Sequence, residues 1–195
     1  MEAVDIGTDI VVAQGTEAGG HGAARSTLAL VPAVVDAVRE RNDEVVVVAA
    51  GGIADGRGLA AALMLGAQGV LIGTRFLASD EALTSAAAKA KLVAARGDDT
   101  IRTRVFDIVR NLDWPAGYTG RALQNPFSRQ WHGRETELEK SLPTEAPRYV
   151  RAVEANNLDT SVVFAGECVD LIRDIKPAAA IVASVVHEAE AALRV

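Results

Sequence analysis

Between Asp9 and Arg96, two kinds of apolar run alternate. The short ones, Asp9–Gln14 (DIVVAQ), residues 45–49 (VVVVA) and Val70–Ile72, are rich in β-branched residues and almost uninterrupted, the pattern of buried strands. The longer ones space their apolar residues three and four apart and predict helices over residues 27–41, about 58–65 and 79–96. Ser26 stands where the first helix would be capped, and Pro32 falls early in it. Ser79 would cap the alanine-rich third helix, and Gly97 would stop it. Gly15–Gly22 reads as a glycine-rich loop. Strands alternating with helices imply right-handed, parallel βα units.

After Gly97 the pattern changes. Thr100–Val109 reads as an extended piece, followed by a loop and short helices through RALQNPFSRQWHGRETELEK. Residues 148–195 look helical, with a glycine turn at Gly166, a short helix, a break at Pro177 and a final helix. The expected organisation is an α/β unit over 1–96, a small helical lid or substrate unit over 97–160, and returning helices over 161–195. Only three parallel strands are visible, whereas an eight-stranded barrel takes roughly 250 residues. A free three-stranded parallel sheet would leave open edges. The chain is therefore either a compact α/β sheet or the carboxyl-terminal part of a larger barrel.

Composition narrows the class. The chain has 195 residues, 49% of them apolar and 24% charged, and a net charge of −6. That acidity argues against nucleic acid or an anionic membrane as partner. No apolar run approaches the roughly 18 residues of a membrane span. Cys168 is the single cysteine, so no internal disulfide forms and a reducing cytoplasm is the expected location.

The candidate chemistry sits at the ends of the strands. Two consecutive strands stop at Gly51-Gly52 and Gly73-Thr74, on one edge of a parallel sheet. A phosphate needs several backbone N–H groups aimed at one point, and glycine lets the backbone come that close. In α/β barrels, the loops after the last two strands commonly hold a phosphate. The loop Gln14–Gly22 leaves the same edge and carries His21 between glycines, where an imidazole can move a proton or bind an anion. The stretch GRGLAA, Gly56 to Ala61, fits a loose dinucleotide fingerprint, but its strand ended several residues earlier, so helix–strand packing is its expected role. Surface or packing roles are expected for His132 and His187, and a buried thiol for Cys168. Asp80 and Glu81 read as first-turn helix charges. No metal-ligand spacing is present.

In order and spacing, AQGTEAGGHG, AAGGIADGRG and GVLIGTRF resemble the nitronate monooxygenase family, formerly called 2-nitropropane dioxygenases. RALQNPFSRQWHGRE and FAGECVDLIRDIKPAA extend that resemblance over nearly the whole chain. It implies a TIM (β/α)8 barrel, a flavin mononucleotide (FMN) cofactor, and oxidation of alkyl nitronates with O₂ to a carbonyl compound and nitrite. Nitronate or nitroalkane and O₂ would be its small-molecule partners. By motif, Gln14 and Gly15 would lie beside the flavin, and His21 would be the catalytic histidine facing the nitro group. Gly51, Gly52, Gly73 and Thr74 would hold the FMN phosphate, with Ala49 and Ala50 beneath. The resemblance also implies about five earlier barrel strands, making this chain the carboxyl-terminal part of such an enzyme, with Met1–Gly7 the helix end before the sixth strand. A missing amino-terminal half or a second copy of the chain would then complete the assembly. The EAGGH and GTRF signatures are shared with flavin-dependent enoyl-acyl-carrier-protein reductases, an alternative activity. A flavin-free, assembly-dependent fragment is the third expectation.

Overall fold

The computed structural model describes residues 2–194. Among the described residues, six strands are formed: β1 (Ile10–Gln14), β2 (Gly20–Gly22), β3 (Val46–Ala50), β4 (Gly69–Leu71), β5 (Thr100–Thr103) and β6 (Thr119–Leu123). The helices are α1 (Glu2–Asp5), α2 (Thr27–Arg39), α3 (Gly56–Met64), α4 (Thr74–Leu77), α5 (Ala86–Ala94), α6 (Val105–Val109), α7 (Pro126–Trp131), α8 (Glu135–Glu154) and α9 (Ala178–Ala192). The short α1 lies where a helix end was expected; Met1 falls outside the described residues.

The fold is α/β. A parallel sheet has the order β1-β3-β4, and its register aligns Gln14 with Ala50 and Ala50 with Leu71. The three strands therefore end level, and their following loops share one edge. On one face, Val31, Val35 and Val38 of α2 pack with Ala13, Val47 and Ala49. The opposite face leaves Ile10, Val12 and Leu71 at 56%, 42% and 51% exposure. Among the described residues, the outer edges of β1 and β4 have no ladder partner.

Local chemistry fixes the helix starts. Ser26 occupies the N-cap of α2, but its hydroxyl makes no capping bond. Glu17 does that work from the preceding loop, accepting from the Thr27 amide at 2.9 Å and the Thr27 hydroxyl at 2.7 Å. A carboxylate is favoured at a helix N-terminus, and here it also ties the loop to α2. Asp55 caps α3 through the amides of Arg57 and Gly58. A Cβ on Gly56 would lie 2.3 Å from Glu188 Cβ. The glycine of GRGLAA therefore serves close packing of α3 on the helix α9, rather than on a strand.

A second, antiparallel sheet has the order β2-β6-β5. It corrects three expectations. The Gly15–Gly22 loop contains a strand, β2, because residues 20–22 pair with residues 119–121 of β6. The strand β6 was not expected at all. The extended piece Thr100–Val109 divides into β5 and α6, where Val105, Phe106, Ile108 and Val109 bury themselves against Phe127, Leu138 and Tyr149. The long helix expected from Ser79 is shortened to Ala86–Ala94. Ser79 is buried and bridges to Lys176, and the Asp80 amide donates to the Lys176 carbonyl, which holds this segment off helical geometry. Ser85 caps the shorter α5 instead. Glu81 is thus not a first-turn charge; it accepts from the Ala178 amide at 2.8 Å at the start of α9.

Candidate active site

The shared edge of the parallel sheet opens into a cleft of about 210 Å³. The strand ends contribute Gln14, Ala50, Gly51, Gly52, Gly73 and Thr74 to its lining, and Ala18, Gly19, Gly20, Leu77, Phe164 and Gly166 also line it. Gly51 and Gly52 take φ values of +102° and +73°, which turn the chain sharply out of β3 and cost little only in glycine. The amides of Gly51, Gly52 and Gly73 donate no hydrogen bond among the described residues. The Thr74 hydroxyl accepts from the Gly166 amide at 2.9 Å, so its own hydrogen remains to donate. Among the described residues, no acidic one lines the cleft. Unused donors without a competing carboxylate fit a phosphate. A Cβ on Gly73 would meet nothing within 4 Å, so this glycine borders open cleft.

The other predicted residues are placed differently. Gly15 does not line the cleft; a Cβ there would sit 2.0 Å from the Thr27 hydroxyl, so its need for glycine comes from α2. Gln14 lines the cleft and donates to the His21 carbonyl at 2.5 Å. His21 lies beside the cleft, across Phe164, whose ring centroid is 5.7 Å away. Its Nε2 stands 2.7 Å from Oδ1 of Asp107, and the Trp114 ring stacks on the imidazole at 3.8 Å.

Two arginines brace the loop that carries His21. Arg102 donates to the carbonyls of Thr16 and Gly22. Arg121 donates to the Thr16 carbonyl at 2.9 Å and pairs with Glu167 at 2.8 Å. Burial, then the neighbouring charge of Arg121, lowers the basicity of Arg102. The close crossing of the loop with residues 165–167 also requires glycine, since a Cβ on Gly166 would lie 2.6 Å from the Glu17 carbonyl oxygen. The sequence signals for Asp107, Trp114 and Phe164 were absent, because their partners are far away along the chain.

Cys168 reaches the cleft wall, and burial pushes its thiol up to about 11, which makes it inert near neutral pH. His132 is exposed, with Nδ1 3.2 Å from the Thr103 hydroxyl, and His187 is exposed on α9. Neither lines the cleft. Among the described residues, no group of three His, Cys, Asp or Glu side chains could hold a metal ion, and no helix is long and apolar enough to cross a membrane.

The family model for nitronate monooxygenase matches residues 1–188. The nitronate monooxygenase npaC of Metarhizium robertsii is 40% identical over 195 residues, covering 95% of this chain and 53% of that protein. A nitronate monooxygenase of Neurospora crassa is 38% identical over 191 residues, covering 94% and 49%. Among solved structures, FabK from Thermotoga maritima superposes with a TM-score of 0.81 at 34% identity, covering 99% of this chain and 58% of that one. The nitroalkane oxidase of Streptomyces ansochromogenes gives 0.77 at 29% identity, covering 99% and 55%. The chain spans about half the length of the curated relatives it matches. A cleft of free strand-end amides, a paired histidine beside it, and a match along nearly the whole sequence lead to the same conclusion: this chain belongs to the nitronate monooxygenase family.

Proposed function

We propose that the strand-end cleft holds the phosphate end of FMN, and that the assembly containing this chain oxidises alkyl nitronates with O₂ to a carbonyl compound and nitrite. The observation that carries this reading is the set of unused amides at Gly51, Gly52 and Gly73, with the Thr74 hydroxyl beside them and no carboxylate in the cleft wall. When bound, the flavin supplies the redox chemistry. The chain's own residues bind, orient and move a proton. Gly51, Gly52, Gly73 and Thr74 donate to the phosphate, and Gln14 borders the cofactor. Leu77 and Phe164 exclude water from the cleft's apolar wall. His21 takes the α-proton of a neutral nitroalkane, leaving the charge on the nitro oxygens, or hydrogen-bonds a nitronate that arrives already ionised.

In this reading, residues 1–96 form the cofactor-holding part of a barrel, 97–160 the substrate lid, and 161–195 the segment that packs back. The small-molecule partners are a nitronate or nitroalkane and O₂, and a segment supplying the remaining strands completes the barrel. The cytoplasm is the location that suits its free buried thiol.

The test is flavin binding followed by turnover. FMN fluorescence should be quenched on titration with the chain, and nitrite should be released from a nitronate in air. His21→Ala should cut that release about a hundredfold or more. Unchanged release by His21→Ala would remove the histidine from the mechanism. NADPH-driven reduction of an enoyl thioester without nitrite release would favour the reductase, which shares the EAGGH and GTRF signatures. A colourless, aggregating chain that quenches no FMN would favour the flavin-free fragment.

A further inference from the structure

Asp107 sits within α6, 86 residues from its partner His21, and is 3% exposed. Its Oδ1 lies 2.7 Å from Nε2 of His21. An ionised carboxylate only accepts, so Nε2 must carry the proton between them. The imidazole has little freedom to turn away from this bond. Trp114 stacks on it at 3.8 Å and an interplanar angle of 10°, Phe164 tilts against it, and Gly120 of β6 lies under the Nε2 side, where an added Cβ would come within 3.5 Å. Gly120 is the cross-strand partner of His21 in the β2–β6 pairing. Nδ1 makes no hydrogen bond among the described residues.

We infer that Asp107 is a positioning residue. It holds His21 as the Nε2–H tautomer and leaves the Nδ1 lone pair as the atom that takes the substrate proton. In that transfer the C–H bond of the substrate breaks, its electron pair stays on the substrate, and the proton joins Nδ1. The imidazolium so formed keeps its Nε2–H bond to the Asp107 carboxylate, which stabilises the new positive charge. Trp114 and Phe164 hold the ring plane while this happens. The inference rests on the proposed role of His21 as the proton-transferring residue.

The test reads the ring nitrogens directly, with and without activity. Long-range ¹H–¹⁵N correlation spectra of the ¹⁵N-labelled chain at about pH 8 distinguish protonated from bare imidazole nitrogens, and His21→Gln assigns the His21 signals among the three histidines. The wild-type chain should show His21 with Nε2 protonated, its proton shifted downfield, and Nδ1 bare. Asp107→Asn should lose the downfield proton and populate both tautomers. It should also lower kcat for nitrite release by about 10²–10⁴-fold with KM changed only a few-fold, the pattern expected when a tautomer-fixing carboxylate is neutralised. A protonated Nδ1 in the wild-type spectrum overturns the inference without any variant. An Asp107→Asn chain whose ring signals or kcat match the wild type overturns it as well. Failure to bind flavin would instead sink the proposed function, and the wild-type spectrum would still decide the tautomer.

Discussion

Gly52 and Gly73 border the same cleft, but for different physical reasons, and alanine at each should separate backbone strain from ligand contact. Gly52 has φ +73°, a region that costs an L-residue roughly 1–2 kcal/mol, and its added Cβ would press on Glu17 Cβ at 3.3 Å. Gly73 has φ −100° and nothing within 4 Å of an added Cβ. Alanine there should stabilise by about 0.4–1 kcal/mol, through a less flexible unfolded chain. The two variants should differ by about 1.5–3 kcal/mol. For a domain of this size, each kcal/mol moves Tm by roughly 2–4 °C, so scanning calorimetry without ligand should place Gly73→Ala about 3–12 °C above Gly52→Ala. Affinity should move differently. The Gly73 methyl enters the open cleft, so Gly73→Ala should weaken FMN binding at least tenfold, about 1.4 kcal/mol, measured by flavin fluorescence. A Gly73→Ala chain that binds FMN as tightly as the wild type would show that no phosphate sits at that loop. Equal melting of the two variants would refute the strain argument.

Three further outcomes follow from individual contacts. Gly56→Ala should destabilise the chain by about 1–3 kcal/mol in urea unfolding, because α3 and α9 must separate to admit a Cβ 2.3 Å from Glu188 Cβ; an unchanged midpoint would contradict that packing. At pH 8 Cys168 should react very slowly with a disulfide reagent and quickly once unfolded, since its thiol is held at about 11 by burial and the thiolate is the reactive form; prompt labelling of the native chain would count against this. Asp174 accepts from Lys176 at 2.7 Å and from Arg75 at 2.8 Å, and the Lys176 hydrogen bond, then the Arg75 charge, holds its carboxyl below the ordinary aspartate value. Its contribution to stability is therefore present above the ordinary value and lost as pH falls through the lowered one. Lys176→Ala should raise the Asp174 midpoint in an NMR carboxyl titration, and an unmoved midpoint would assign the shift elsewhere.

The parallel βα frame was legible because its signals are local. Buried strands need unbroken β-branched runs, and Val45–Val48 supplies one whatever the rest of the chain does. The glycine edge was legible for the same reason: Gly51 and Gly52 follow β3 directly and line the cleft at its end. What failed was non-local. The strand β6 reads as TGRAL, with a glycine and an alanine that weaken any strand propensity. It exists because Arg121 and Gly120 face Gly20 and His21 on one side and Arg102 and Thr103 on the other. Ser79 looked like a helix cap, yet its neighbours are claimed by Lys176 and Ala178, almost a hundred residues away. His21 was visible as a loop histidine, while Asp107 was one acidic residue among many. Only the register of β2 on β6, and the burial of α6 against α8, brings the two together.

The open face of the parallel sheet bears on the site itself. Residues aligned across neighbouring strands share a face, so Gln14, Ala50 and Leu71 form one row, and all three line the cleft. One step down lie Val12, Val48 and Gly69; below them lie Ile10 and Val46. The cleft floor is thus the top row of a face whose lower rows are apolar, with Val12 and Ile10 exposed among the described residues. Parallel strands apolar on both sides belong in an enclosed sheet, and inward rows of this kind fill the interior of a (β/α)8 barrel. Any segment that covers these rows buries apolar area worth roughly 25 cal/mol per Å² and also walls the cleft from below. In the proposed function, closure of the face and affinity for the FMN phosphate would then be coupled. If the cleft holds a phosphate as proposed, removing water from its floor would strengthen each N–H···phosphate bond at Gly51, Gly52 and Gly73, and a ligand held by these amides would give the covering segment a firmer surface to pack on.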